Sequence, residues 1–570
     1  MGKSCTMSAK PRLKVVLCWH MHQPQYVNRL NGEFQLPWTY LHAIKDYTDM
    51  AAHLEANPKA RAVVNFAPIL LEQIDAYARQ LKAFLSTGEQ IRDPLLCALS
   101  SVVLPADLEQ RIGLVKDCLR ANKERLVNRF VPYRRLARMA SWLIKNPYTH
   151  VYWNDQFLVD MLVWYHLAWM GESVRRSEPR VQALIKKGHG FLYQDRRVLV
   201  EVISEQLDTV ISRYRDLARQ GRIELSMTPY AHPIVPLLLD LNCAKEAMPQ
   251  VRMPMLKQYE GGAERVRWHV QKGLETFEHF FGIRPQGCWP SEGGVSTDSM
   301  PYYAEAGFRW IAGGENVIRN SLGALGRKEE PIHRVFALDD SSVCCFFRDD
   351  GLSDLVGFTY ATWHADDAVA NLVHHLKNIA QVQQSNLHNS VVSIVLDGEN
   401  AWEYYPENGY YFLSALYEQL GSDPEFELTT FGACLDQGVE PVRVARWVAG
   451  SWVYGTFSTW IGDVDKNRAW DMLGEAKACF DQVVQSQRIS EERIAAAQKQ
   501  LAVCEGSDWF WWFGDYNPAS TVSDFERLYR MQLVNLYQIL GEQPPEYLSH
   551  VFAHGGGGEL DAGGVMRRGS

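Results

Sequence analysis

The sequence predicts an α/β fold, in which a closed or nearly closed barrel of parallel strands precedes a mainly helical region. Short runs of β-forming residues alternate with long helical patterns over the first 400 residues, polar residues stand at the ends of several runs, and little strand pattern remains after about residue 410. Alternating strands and helices imply a parallel sheet. Polar strand ends favour a barrel, whose active site lies at that face. The alternative, a doubly wound open sheet, lacks a glycine-rich nucleotide loop after its first strand.

Seven short apolar runs are the strand candidates of the barrel, and longer stretches of helical period separate them. The strands are predicted at Leu13–Trp19, Ala62–Phe66, Ile223–Thr228, Gly287–Trp289, Phe308–Ala312, Val343–Phe347 and Val391–Leu396. Helical stretches between them are predicted at Asp107–Val127, Arg197–Gln220, Gly262–Phe281 and Asp366–Gln383.

The chain changes character after about residue 410, where helical patterns dominate. Helices are predicted at Leu413–Leu420, Lys466–Ser486, Ser490–Cys504 and Val522–Leu540. We therefore divide the chain into a barrel with helical insertions over 1–405, a helical C-terminal domain over 406–550 that completes the active-site cleft, and a glycine-rich tail over 551–570. The tail's composition predicts disorder.

Composition and charge exclude several classes of protein. A chain of 570 residues is expected to form two or three domains. A formal net charge of −9 argues against nucleic-acid or anionic-membrane partners. No apolar segment is long enough to span a membrane, and the run Val15–Trp19 is too short for a signal peptide. The 11 cysteines are irregularly spaced, which favours reduced thiols and a cytoplasmic protein. The oligomeric state is not predicted.

Glu292 lies in the first of two stretches that suggest chemistry. It follows Trp289-Pro290-Ser291 and precedes two glycines, which let the backbone turn sharply and leave the carboxylate open to a ligand. The alternative interpretation is a surface turn in which the glutamate has no function. The apolar approach and the adjacent Trp289, which could pack on a sugar ring, favour a functional interpretation.

Asp397 lies in the second stretch, directly after five β-forming residues and one serine. An acid at the end of a buried strand stands where barrel enzymes hold catalytic groups. Glu399 and Glu403 follow closely, so mutual repulsion could raise a pKa, as a general acid requires. Trp402 stands beside them. A calcium-like acidic loop or a helix N-cap is the alternative interpretation.

Histidines follow two of the predicted strands. His20 and His22 point to the same face of the first strand, which suits either a metal pair or a polar wall that contacts sugar hydroxyls together with Gln23. His232 follows another strand in a loop bounded by prolines. Satisfied structural histidines are the bland alternative for all three.

Aromatic residues cluster in the C-terminal half beside acidic ones. We select Trp460, Asp463, Trp512 and Asp515 as candidates for the cleft wall. Asp508 to Asp515 contains too many aromatic side chains for one helix face, so some of them are expected to meet another domain or a ligand. Core packing is the alternative explanation for each tryptophan.

Five blocks together resemble the five ordered motifs of glycoside hydrolase family 57. The blocks are His22-Gln23-Pro24, Gly221 to His232, Trp289 to Gly294, Leu396 to Glu403, and Trp509 to Asp515, and the similarity extends from about residue 13 to about residue 540. The resemblance implies a (β/α)7 barrel, a helical C-terminal domain and a retaining mechanism on α-glucans without a metal or other cofactor. It assigns the nucleophile to Glu292 and the general acid/base to Asp397.

The residues of the third and fourth blocks resemble those of the family's α-amylase and amylopullulanase branch more closely than those of its branching enzymes. Gly514-Asp515-Tyr516-Asn517-Pro518 departs from that branch, which often has a histidine in this segment, where the helical domain would contact the substrate. The favoured hypothesis is an α-amylase-like enzyme that cleaves α-1,4 bonds of starch, glycogen or maltooligosaccharides.

Other functions stay open from the sequence. Amylopullulanase, 4-α-glucanotransferase and branching activity would use the same scaffold. A metal-dependent hydrolase or deacetylase would use His20, His22, His232 and Asp397. A non-catalytic glucan-binding protein is disfavoured because both carboxyl residues are present.

Overall fold

A computed structural model describes residues 11–556 and confirms the predicted α/β class. Twelve strands occur within these residues. They are β1 Leu13–Met21, β2 Val27–Asn28, β3 Glu33–Phe34, β4 Ala62–Phe66, β5 Ile223–Met227, β6 Gly287–Cys288, β7 Trp310–Gly313, β8 Phe336–Leu338, β9 Cys344–Phe347, β10 Val391–Asp397, β11 Phe426–Thr429 and β12 Val442–Val444.

Seven of these strands form a parallel barrel. Their order is β10, β1, β4, β5, β6, β7 and β9, and every neighbouring pair is parallel. A parallel bridge between Arg348 and Ser393 joins the end of β9 to β10, where the Asp349 amide donates to the Ser393 carbonyl at 2.8 Å. The seven predicted strands are the seven barrel strands, each within two residues of its predicted ends.

The barrel interior has its own small core, which is separate from the larger core between the sheet and the surrounding helices. Alternate residues of the strands point inward, among them Val16 and Cys18 of β1, Val63 of β4 and Trp310 of β7. All four are fully buried. Layers of inward-pointing side chains fill barrels of this kind, so functional groups lie at the rim and not inside.

Helices surround the barrel and connect its strands. Up to residue 382, α-helices span Trp38–His42, Thr48–Ala56, Pro68–Thr87, Pro94–Ser100, Leu108–Asp117, Val131–Lys145, Asp155–Trp169, Glu172–Ser177, Pro179–Lys187, Tyr193–Arg219, Val235–Leu239, Ala244–Ala247, Gly262–Phe281, Met300–Glu305, Glu315–Ala324, Asp350–Asp354 and Ala365–Val382.

One predicted helix is interrupted. The stretch Asp107–Val127 contains an α-helix over Leu108–Asp117 and a separate π-helical turn over Lys123–Val127. Asn122 starts the second piece, because its side chain accepts hydrogen bonds from the amides of Glu124 and Arg125. An asparagine that caps a new helix turn competes with continuation of the previous helix. Hydrophobic periodicity does not register such a cap, so it predicted one continuous helix.

The C-terminal part is mostly helical, as predicted, but the barrel sheet also draws on it. β11 pairs with the first half of β1, and β12 pairs with β8, so the predicted division at residue 405 falls before two strands of the sheet. Both strands are only three or four residues long, too short for a clear pattern. The helices here are Tyr410–Ser422, Phe431–Asp436, Val464–Gln485, Glu491–Cys504, Ser507–Trp512 and Ala519–Leu540.

The start of the predicted tail packs against the helical part. Residues 551–556 belong to no helix or strand, yet Ala553 is buried and the Phe552 amide donates to the Glu526 carboxylate at 3.1 Å. The rest of the tail, from residue 557, lies outside the described residues. Between residues 11 and 556 no helix has both the length and the apolar character that crossing a bilayer requires.

Candidate active site

Glu292 occupies a strained turn just after β6. Its backbone has φ of 60° and ψ of 23°, the left-handed region that side chains other than glycine rarely adopt. The next residue, Gly293, also has positive φ, and a Cβ atom there would lie 3.0 Å from the Trp289 ring. This turn aims the carboxyl group of Glu292 into the cavity at the carboxyl end of the barrel.

The Glu292 carboxyl group receives a hydrogen-bond contact on each oxygen. Ser507 Oγ lies 2.7 Å from Oε1, and Trp452 Nε1 lies 3.1 Å from Oε2. Burial raises the pKa of Glu292 to about 8, and the nearby negative charges of Asp508 and Asp397 add to this effect. The contacts from Ser507 and Trp452 act in the opposite direction because they favour the ionised form.

Asp397 ends β10 and stands opposite His20 of β1 in the sheet register. Its Oδ2 accepts a hydrogen bond from Asn400 Nδ2 at 3.0 Å. Burial raises the pKa of Asp397 to about 6, while Asn400 and the nearby side chains of His22 and Arg348 lower it. The group can therefore both hold and release a proton near neutral pH.

Glu399 lies beneath the same rim and is 2% exposed. Its Oε1 accepts from the His22 amide at 3.3 Å, from Gln23 Nε2 at 3.1 Å and from the Tyr47 hydroxyl at 3.1 Å. Burial raises the pKa of Glu399 well above its ordinary value, with Asp397 adding to the shift. Glu399 thus fixes the loop after β1 and lies at the floor of the cavity.

The three histidines meet at the cavity, as parallel strand ends should. The His22 and His232 rings are stacked with centroids 3.9 Å apart, and the His20 and His232 rings are 5.1 Å apart. His22 Nε2 lies 2.8 Å from Asp508 Oδ1. Burial lowers the pKa of His20 to about 3 and that of His232 well below its ordinary value, so both are neutral.

A metal centre built from these histidines has few available nitrogen atoms. Ligand atoms of His22, His232 and Asp508 lie within 4.8 Å of one another. His20 and His232, however, each use both ring nitrogens in contacts with protein groups. Only His22 keeps a ring nitrogen without a hydrogen-bond partner, Nδ1. The metal set suggested by the sequence, with Asp397 as fourth ligand, would have to break these contacts first.

A cavity of about 490 Å³ joins the barrel rim to the helical part. Both carboxyl groups of the proposed catalytic pair line it. Of the residues selected from the sequence, it contains His22, Gln23, His232, Glu292, Asp397, Glu399 and Trp512, together with His20.

Five selected residues lie elsewhere in the described structure. Trp289 is fully buried in the small barrel core, and Trp402 packs edge-on against Trp19. Trp460 is fully buried, and Asp463 caps the helix that starts at residue 464. Asp515 is exposed. None of the five is among the cavity-lining residues of the described chain.

Other residues reach the site from the C-terminal part, and of these only Trp512 was selected from the sequence. Trp452 and Ser507 contact Glu292, and Asp508 contacts His22. Trp511 and Trp512 form part of the cavity wall. Ser507 begins a helix directly before the aromatic stretch Asp508 to Asp515. That stretch therefore pointed to the right part of the chain, although Ser507 itself was not selected.

Glu292, Asp397 and the three histidines thus line one cavity at the rim of a seven-stranded barrel, and comparison with known proteins identifies the family. The model of glycosyl hydrolase family 57 matches residues 16–442. The chain therefore belongs to this family, which confirms the resemblance drawn from the motifs. No curated protein matches the sequence significantly.

Solved structures support the fold at low sequence identity. A branching enzyme from Pyrococcus horikoshii aligns with a TM-score of 0.54 and 13% identity, covering 94% of this chain and 93% of that one. The α-amylase AmyC from Thermotoga maritima aligns with 0.53 and 14%, covering 94% and 96%. A 4-α-glucanotransferase from Thermococcus litoralis aligns with 0.50 and 13%, covering 93% and 60%. At these identities the likeness concerns the fold alone.

Proposed function

We propose that the protein is a retaining α-glucan hydrolase of the α-amylase type. One observation carries the proposal: Glu292 and Asp397, two carboxyl groups with raised pKa, line the same cavity at the carboxyl end of the barrel. A pair of carboxyl groups that flank a sugar is the usual machinery of glycoside hydrolysis.

The two groups would act in two displacements. In the first, the ionised Glu292 attacks the anomeric carbon, the bond to the glycosidic oxygen breaks, and Asp397 donates its proton to that oxygen. In the second, Asp397 accepts a proton from water, the water oxygen bonds to the anomeric carbon, and Glu292 leaves. The anomeric configuration is retained because inversion occurs twice.

The surroundings of the carboxyl groups suit these roles. With a pKa of about 6 for Asp397 and about 8 for Glu292, the pair holds one proton between these pH values, and the reactive form is the one in which Asp397 carries it. Glu292 must be ionised to attack, and its two contacts from Ser507 and Trp452 favour that form. Positive charge on the sugar in the transition state favours the carboxylate further.

The substrate class rests on the family and on the cavity wall. The structural neighbours are named as a branching enzyme, an α-amylase and a glucanotransferase, all of which act on α-glucans. Trp38, Trp511 and Trp512 line the cavity, and aromatic side chains offer faces on which pyranose rings pack. An α-glucan chain is therefore the expected ligand.

Product analysis tests the proposal. The purified protein is incubated with amylose, pullulan and maltooligosaccharides, and the first products are followed by proton NMR before the anomers equilibrate. α-Anomers of shortened maltooligosaccharides are expected. β-Anomers would show inversion, and longer or branched products would show that transfer to sugar acceptors prevails over hydrolysis. Loss of all activity with EDTA and recovery with zinc would favour the metal-dependent alternative.

A further inference from the structure

A continuous chain of hydrogen-bond contacts runs from the barrel wall to Glu292. Asn65 lies on β4, and its Oδ1 is 2.7 Å from His20 Nδ1. His20 Nε2 is 3.1 Å from His232 Nε2, and His232 Nδ1 is 2.8 Å from Ser507 Oγ. Ser507 Oγ is 2.7 Å from Glu292 Oε1. All five side chains are buried. Within the chain each inner group lies between two partners, so it must donate to one neighbour and accept from the other.

Thr228 determines the orientation of the Asn65 amide. Its hydroxyl is 2.8 Å from the Trp289 carbonyl, which can only accept, so its single proton is used there. The same hydroxyl is 2.9 Å from Asn65 Oδ1, and with its proton used at Trp289 it has none to donate there. Oδ1 in this position sets two oxygen atoms against each other, while Asn65 Nδ2 lies 3.0 Å from Ser226 Oγ. A half-turn of the amide exchanges the two atoms, so that Nδ2 donates to Thr228 and His20 and Oδ1 accepts from the Ser226 hydroxyl.

This orientation fixes every proton in the chain. Asn65 donates to His20 Nδ1, so neutral His20 carries its proton on Nε2 and donates to His232. Neutral His232 then carries its proton on Nδ1 and donates to Ser507. The Ser507 hydroxyl can therefore donate only to Glu292 Oε1. The hydrogen-bond chain ends at Glu292, whose other oxygen, Oε2, accepts from the indole N–H of Trp452. Two donors to one carboxyl group suit its ionised form.

We propose that Asn65 is a positioning residue for the reaction: through His20 and His232 it orients the Ser507 hydroxyl as a donor to Glu292 and so holds the nucleophile ready to attack. The inference deepens the proposed function and rests on the nucleophilic role of Glu292. It assigns a task to His20, whose side chain has both ring nitrogens occupied and contacts no carboxyl group.

Asn65→Asp is the decisive variant. It keeps the shape of the side chain, but an ionised carboxylate can only accept, so His20 must then donate from Nδ1. Neutral His20 and His232 would exchange tautomers, Ser507 would donate to His232, and Glu292 would keep its proton to donate to Ser507. We expect kcat/KM to fall about 10- to 100-fold, the size of a lost hydrogen bond to a charged group. The matched control is Asn122→Asp, which changes a buried helix-capping asparagine outside the cavity and should leave activity unchanged.

The tautomers are measured directly by ¹⁵N NMR of histidine-labelled protein, without reference to activity. In the parent protein, His20 is expected to carry its proton on Nε2 and His232 on Nδ1, and both should exchange in Asn65→Asp. The opposite tautomers in the parent protein, or unchanged tautomers in the variant, would overturn the proposal. If the protein proves inactive on α-glucans, the proposed function fails while this measurement still decides the direction of the chain.

Two further variants separate orientation from folding. Ser507→Ala removes the last link, so it should lower activity while leaving both tautomers unchanged. Thr228→Val removes the constraint on Asn65 without adding charge, so it should give a mixture of tautomers and a smaller loss of activity. The Glu292 titration, followed by ¹³C NMR, should move to higher pH in Asn65→Asp and in Ser507→Ala. Asp397, Asp508 and His232 also face Glu292, but they are unchanged in Asn65→Asp, so an unmoved titration would contradict the inference.

Discussion

The barrel rim and the segment from Ser507 to Trp512 contribute to one cavity in different ways. The rim supplies the two groups proposed to react, Glu292 and Asp397, on backbone fixed at strand ends. The helical segment supplies groups that contact them or the cavity, namely Ser507, Asp508 and two tryptophans. The difference suggests that the sheet determines the chemistry, while the helical part determines how well the groups are oriented and which ligand fits.

The largest effects are expected from the rim. Glu292→Ala removes the nucleophile, so turnover should fall by several orders of magnitude. Azide can occupy the space and attack directly, giving a β-glycosyl azide from an α-glucan. Asp397→Ala keeps the nucleophile but loses the proton donor, so activated aryl glycosides should still react and azide should give the α product. Each variant is the control for the other. If Glu292→Ala gave the α-glycosyl azide and Asp397→Ala the β, Asp397 would be the nucleophile and Glu292 the acid.

An intermediate effect is expected from the helical segment. Asp508→Ala removes the partner of His22, and kcat/KM should fall about 10-fold or more, as for a lost hydrogen bond to a charged group. Asp515→Ala is the matched control, since Asp515 is exposed and lies outside the cavity. Equal losses in the two variants would show that the segment acts through folding and not through the site.

The pH profile tests the carboxyl pair as a unit. Below a pH of about 6, the pKa of Asp397, both groups are protonated and no nucleophile exists; above about 8, the pKa of Glu292, both are ionised and no proton donor remains. The value of kcat/KM should therefore be highest between these values and fall on both sides. A profile without an alkaline decline up to pH 10 would argue against a carboxyl group as the acid.

The smallest effect is expected at the cavity wall. Trp512 stacks on Phe525 with ring centroids 4.8 Å apart and lines the cavity. Trp512→Ala should raise the Michaelis constant for maltooligosaccharides about 3- to 10-fold, the range of a lost aromatic contact, with little change in kcat. Trp142→Ala, at an exposed tryptophan on a surface helix, should change neither. An unchanged Michaelis constant with a large drop in Tm would mean that Trp512 only packs the core.

The sequence predicted the parts of the molecule that depend on local pattern. The seven barrel strands are apolar runs with clear ends, Asp397 ends one of them, and Glu292 lies in the turn after another. Parallel strands bring such residues together at one rim, so a local signal was enough to place them in one cavity.

The rest depended on contacts between distant parts of the chain. Ser507 contacts Glu292 across 215 positions of sequence, and Trp452 contacts Glu292 across 160. The aromatic window marks the neighbourhood of Ser507, but no pattern predicts that either residue contacts Glu292. Trp289 and Trp402 were selected as candidates for contact with the sugar, but neither lines the cavity, for a related reason. Each neighbours an acidic residue in sequence, but the backbone turn that exposes the carboxylate directs the indole into a core.

The left-handed turn at Glu292 implies a conflict between stability and activity. Holding a glutamate at φ of 60° raises the free energy of the native state by about 1–3 kcal/mol, and burying its carboxyl group adds to this. Glycine adopts the same turn without strain. The inactive variant Glu292→Gly should therefore unfold at a higher temperature than Glu292→Ala, and higher than the parent protein, in calorimetry. The residue proposed to act as nucleophile thus lowers the free energy of unfolding of the protein.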